Sequence, residues 1–154
     1  MDYKEKKRNR YSRIAGQLED LLPKTNDRFA RMATVIALLH HKMDGFFWTG
    51  YYFLKEGKLV VGPYQGPVAC QELEPGKGVC WTAVNTRQTV IVDDVHKFPG
   101  HIACDARSRS EIVVPVYDRD GIIIAVLDID STRLANFDEI DAAGIETLLK
   151  MING

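Results

Sequence analysis

The residues best suited to chemistry lie in FPGHIACDARSRSEIVVP, residues 98–115. Cys104 stands there among Pro, Gly, His, Asp, Ser and Arg, directly before an apolar run. A cysteine that serves as packing belongs in an apolar segment. One among turn residues is accessible, and accessible thiols react or bind. His101, Arg107 and Arg109 are close in sequence and would favour the thiolate if their side chains face the sulfur. Of the other two cysteines, Cys70 sits in GPVACQELEPG, a second turn-rich loop, and Cys80 in GKGVCWTAV, where an apolar helical stretch begins. Cys80 has the strongest reading as a packed small hydrophobe. Three cysteines without a CxxC pair argue against a disulfide framework. His96 and His101 complete no zinc spacing, so no metal site is expected. The thiols are then inert or redox-active.

Carboxylates form the second set. In IIIAVLDID, residues 122–130, strand alternation places Ile124, Val126, Asp128 and Asp130 on one face and Ile123, Ala125, Leu127 and Ile129 on the other. Either the two aspartates reach solvent where the strand leaves the core, or they stand at the mouth of a pocket. In FFWTGYYFL, Trp48, Gly50 and Tyr52 share a face. Gly50 either leaves a gap for a ligand between two aromatics or eases the twist of a packed sheet. Glu111 stands just after the Cys104 loop; taken alone it reads as a solvated surface group.

The elements that must position these residues follow from periodicity and turn signals. Ser12 to Leu22 reads as a short amphipathic helix ending at Pro23. Asp27 to His41 reads as a second helix, capped by Asn26. Residues 46–54 form a strand that turns at Lys55-Glu56-Gly57-Lys58 into a partner at 59–64. Residues 63–78 read as a long irregular segment, Val79 to Asn85 as a short helix, and 89–95 as a short strand. Strands at 111–117 and 122–130 flank the turn at Asp118 to Gly121, and Asn136 caps a final helix, Phe137 to Met151. This order describes an α+β domain, an antiparallel sheet with terminal helices packed against it. The loops between residues 63 and 110 would gather over one face, and loops of that length are usually functional or disordered. Their specific residues favour function.

The bulk numbers exclude several classes. The chain has 154 residues, 45% hydrophobic and 27% charged, with a net charge of -1. It offers no global field for nucleic acid or an anionic membrane. The basic start is not followed by a continuous apolar core, so it is not a secretory signal, and no apolar run is long enough to span a bilayer. A cytoplasmic protein is expected. The cluster Lys4 to Arg10 reads as a solvated helix start.

GPYQGPVACQELEPGKGVC, then VDDVHKFPGHIACDARSRSEIVVPV, then VLDIDS, resembles the free methionine-(R)-sulfoxide reductases, enzymes built on a single GAF domain. The similarity runs from about Trp48 to the final helix, and all three cysteines fall in matching segments. Trp81, after Cys80, departs from the pattern, where a small residue is expected. The resemblance implies one GAF-like domain over residues 1–154, with 1–22 as its N-terminal helical segment, and a central antiparallel sheet between terminal helices. It implies that Cys104 attacks the sulfur of free methionine-R-sulfoxide and becomes a sulfenic acid. Cys70 would resolve it as a disulfide, with Cys80 the second choice, and an external dithiol, thioredoxin, would recycle the disulfide. No bound cofactor is implied. Glu111, Asp128 and Asp130 would divide between protonating the sulfoxide oxygen and holding the substrate ammonium. Trp48 and Tyr52 would wall the methyl-sulfur end, and backbone amides around Ile102, Ala103 and Cys104 would bind the substrate carboxylate. A homodimer is the expected assembly. Two alternatives share parts of this pattern: a GAF sensor that binds a small molecule without catalysis, and a thiol redox sensor or peroxidase using Cys104 and Cys70. The first needs no cysteines, and the second gives no role to the aromatic and acidic sets.

Overall fold

A two-residue turn fixes the first hairpin. Glu56 and Gly57 have φ of 50° and 75°, the left-handed pair that joins strands with native twist. Strand β1, Trp48–Lys55, thereby pairs antiparallel with β2, Lys58–Gln65. The computed structural model describes residues 1–101 and 104–154. Strand β2 runs further than its Gly and Pro suggest. Gly62 and Pro63 together stand opposite Tyr51 between the pairs Tyr52–Val61 and Gly50–Tyr64. This bulge accommodates a proline that cannot donate to the ladder. The segment expected to be irregular also contains β3, Glu72–Leu73, paired with β2.

With β4, Val90–Val92, β5, Ser110–Tyr117, and β6, Ile123–Ser131, the sheet has the order β3-β2-β1-β6-β5-β4, every neighbouring pair antiparallel. Three helices, α1 (Tyr3–Leu21), α2 (Arg28–Lys42) and α4 (Glu139–Met151), cover one face. Tyr51, Ile112, Leu127 and Ile129 of the sheet meet Leu18, Met32, Leu39 and Ile145 there. The other face carries the short helix α3, Gly78–Thr86, and the loops, over Trp48, Tyr52, Val113 and Val126. Ile124 packs with the helix face, not with Val126 as alternation predicts. The register steps from Val116–Ala125 to Tyr117–Ile123, which leaves Ile124 unpaired and breaks the alternation.

The helices start elsewhere than expected. Asp2 caps α1 through the amide of Glu5, so this helix begins nine residues before Ser12. Lys7, in the stretch read as solvated, is buried, and its Nζ lies 2.7 Å from Asp141 and 3.3 Å from Asp138. Asp27 rather than Asn26 caps α2, accepting from the Ala30 amide at 2.9 Å. Asp138 rather than Asn136 caps α4, in a reciprocal capping box with Asp141. The Tyr11 ring lies so close to Gly144 that any side chain there would collide with it, which seats α1 directly on α4. Among the described residues, no helix is long and apolar enough to cross a membrane.

Candidate active site

Neighbouring strands bring the acids together. Glu111 on β5 pairs with Asp130 on β6, and Val113 with Asp128. Gly50 and Trp48 of β1 pair with Asp128 and Asp130 from the other side. Alternation therefore turns Glu111, Asp128, Asp130, Trp48 and Tyr52 to the loop face, where all five line one cavity of about 50 Å3. Cys104 stands in the same lining, exposed, and is bonded to the half-buried Cys70 with Cα atoms 5.4 Å apart. Cys80 also lines the cavity but is a buried free thiol, as its apolar helical setting suggests. Ile102 and Ala103, expected to offer amides to a substrate, lie outside the described residues.

Gly50 leaves no gap. A side chain there would strike Tyr64 and fall 2.7 Å from the Trp48 ring. Trp48 stacks on Tyr64 with ring centroids 5.2 Å apart and on Tyr52 at 5.8 Å, so the glycine admits an aromatic wall. Tyr52 donates to the carbonyl of Cys70 and Trp48 to that of Pro67, each at 3.0 Å.

The acids have too few partners. Glu111 and Asp128 are buried and Asp130 half-buried. Burial, then the neighbouring Asp128 and Asp130, push Glu111 well above the usual carboxyl range. Burial holds Asp128 at about 6 against a hydrogen bond from Glu111 that lowers it. Asp130 is likewise pushed well up, by burial and then by Asp128. Asp128 Oδ1 is buried without a hydrogen-bond partner among the described residues. The cluster is thus a set of shared protons around one ionised aspartate, with an acceptor atom left over.

Of the basic residues near Cys104, Arg107 is engaged away from the sulfur. Arg107 makes two side-chain hydrogen bonds to Asp105, at 3.0 and 2.8 Å, and lies over the Phe47 ring. That pairing holds Asp105 down at about 2 and fixes the turn after Cys104. His101 lines the cavity, but burial and then His96 lower its pKa, which favours the neutral ring. Sequence reading also missed Lys77, Gly78 and Ser108 in the lining. The GKG run before α3 is the signal that points to the first two, because a glycine-flanked helix start exposes its amides. Among the described residues, no side chain caps that N-terminus.

Cys80 Sγ and carboxylate oxygens of Glu111 and Asp128 lie within 4.8 Å of one another, a grouping that could hold a metal ion. Burial, followed by the charges of Asp128 and Glu111, pushes the Cys80 thiol well above its ordinary range, which favours the neutral thiol over a metal-binding thiolate.

A sheet with helices on one face and a loop-built pocket on the other, matched by the GAF domain model over residues 31–150, places this chain in the GAF-domain family. It is 46% identical to GAF domain-containing protein A of Dictyostelium discoideum over 96% of this chain and 92% of that one. It is 45% identical to the free methionine-R-sulfoxide reductase of Escherichia coli over 80% of this chain and 74% of that one. The free methionine-R-sulfoxide reductase of Neisseria meningitidis, solved with its substrate, superposes with a TM-score of 0.87 at 42% identity, covering 93% of this chain and 86% of that one. Within the GAF-domain family, the chain belongs to the free methionine-R-sulfoxide reductases.

Proposed function

We propose that this protein reduces free L-methionine-R-sulfoxide to L-methionine through the thiol of Cys104. One observation carries this reading: Cys104, bonded to Cys70, lines a single cavity with three proton-sharing acids. Oxide is a poor leaving group, so sulfoxide reduction needs a proton at the oxygen. Glu111, kept neutral by burial and by its acidic neighbours, supplies it. Cys104 Sγ attacks the substrate sulfur as Glu111 protonates the oxygen. In net terms the oxygen passes to Cys104, methionine leaves, and Cys104 is oxidised to a sulfenic acid. The Cys70 thiol then attacks the Cys104 sulfur, and water leaves as the disulfide forms. An external dithiol of the thioredoxin type restores both thiols by exchange.

Substrate recognition follows from charge. Asp128 is ionised at neutral pH and its Oδ1 has no hydrogen-bond partner among the described residues, which suits an incoming ammonium. The uncapped start of α3, with Gly78 and Val79 in the wall, suits the substrate carboxylate. Trp48 and Tyr52 take the methyl-sulfur end. A residue within a peptide has neither end charge, so peptide-bound methionine sulfoxide is a poor substrate.

The test is a single turnover with fully reduced protein. Cys104→Ser forms no methionine. Cys70→Ser releases about one methionine per chain and then stalls at the sulfenic acid under thioredoxin recycling. Equal multiple-turnover rates for wild type and Cys70→Ser refute the assignment of Cys70.

A further inference from the structure

The strap 66–70 carries Cys70 between the end of β2 and the return at β3. Its exit is fixed by Gly66, whose φ is 125° and where a Cβ would fall 2.8 Å from the Phe47 carbonyl oxygen. Val68, at its crest, is 81% exposed, while Ala69 and Cys70 pack partly buried against the loop-face core. Among the described residues, two hydrogen bonds tie residues 66–70 to the sheet: Trp48 Nε1–H to the Pro67 carbonyl and Tyr52 O–H to the Cys70 carbonyl. The rings of the same two residues stack on each other in the cavity wall.

We propose that Trp48 and Tyr52 are positioning residues for disulfide formation: their polar tips clasp the strap and hold Cys70 Sγ against Cys104. The clasp raises the effective concentration of one thiol at the other. It acts when the Cys70 thiol displaces water from the Cys104 sulfenic acid, and it also favours the closed disulfide over the open dithiol. The inference rests on the role proposed above for Cys70, but the bond between the two cysteines can be measured without any substrate.

Tyr52→Phe removes the hydroxyl and keeps the ring. Equilibration of the full-length variant with glutathione redox buffers should show the equilibrium constant for the Cys70–Cys104 bond reduced about five- to tenfold, a rise in potential of roughly 20 to 30 mV. In a single turnover with free methionine-R-sulfoxide, the second thiol should disappear several-fold more slowly, relative to methionine release, than in wild type. Dimedone should trap the longer-lived sulfenic acid. Trp48→Phe, which loses only the tip nearer the start of the strap, should shift the potential in the same direction and serves if Tyr52→Phe does not fold. An unchanged potential in the variants overturns the clasp, whatever the wild-type activity. A shifted potential in a protein that makes no methionine from the sulfoxide upholds the clasp and overturns the reductase reading instead.

Discussion

Asp141 and Asp128 are both buried aspartates, 1% and 6% exposed, but they serve opposite faces of the sheet. On the helix face, Asp141 accepts from Lys7 Nζ at 2.7 Å, Tyr11 O–H at 2.6 Å and the Asp138 amide at 2.9 Å. Burial raises its pKa, while Lys7, Tyr11 and the capping amide pull the other way. Arg31 on the same face donates to the carbonyls of Leu22, Thr25 and Ile152. On the loop face, Asp128 has acids for neighbours and an oxygen to spare. A buried charge with its full set of donors locks two helices together. One short of partners is a fold under electrostatic stress, and that stress is relieved by a cation or a proton arriving from outside.

Three substitutions sharpen or break this contrast. The largest effect is expected at Glu111. Glu111→Gln keeps the shape and removes the transferable proton, and should lower the rate of methionine formation about 10²- to 10⁴-fold, measured by single turnover. A loss below about threefold would reassign the acid. Next is Lys7→Met, which strands Asp141 without its cation. Removing one partner of a buried pair should destabilise the protein by ~3 kcal/mol, lowering the thermal midpoint by roughly 6 to 12 °C. Lys7 is far from the cavity lining, so turnover at low temperature should not change. The smallest effect is at Asp128. Its folded pKa of about 6 lies above the ordinary value, so its contribution favours the fold most at low pH. That contribution is lost as pH rises through about 4 to 6. Asp128→Asn should therefore unfold a few degrees higher than wild type at pH 8 while raising KM for the sulfoxide. Matching melting curves for the two proteins at pH 8 would contradict the stressed-pocket account.

What could be read from the sequence divides along the same line. Period-two alternation correctly put Asp128 with Asp130 on one face of β6 and Trp48 with Tyr52 on one face of β1, because pleat geometry is local. The bulge at Ile124 and the filling of the Gly50 position by Tyr64 depend on neighbouring strands and were not legible. The first half of α1 has weak apolar periodicity, and its stability comes from Asp141, more than 130 positions away. Caps at Asp27 and Asp138 were missed by one and two residues, since Asn26 and Asn136 have equally suitable side chains. Burial of the acids needed the whole sheet: Glu111 looked solvated until β6 was laid beside it.

The bond between Cys70 and Cys104 occupies the sulfur proposed above as the nucleophile. In the proposed cycle, this oxidised form cannot attack a second sulfoxide until a dithiol has restored the thiols. Under that cycle electron donor and sulfoxide react in strict alternation, and the two should give parallel lines in double-reciprocal plots, the signature of a ping-pong cycle. An oxidised pool would then consume no sulfoxide, leaving the metabolite to the reduced copies.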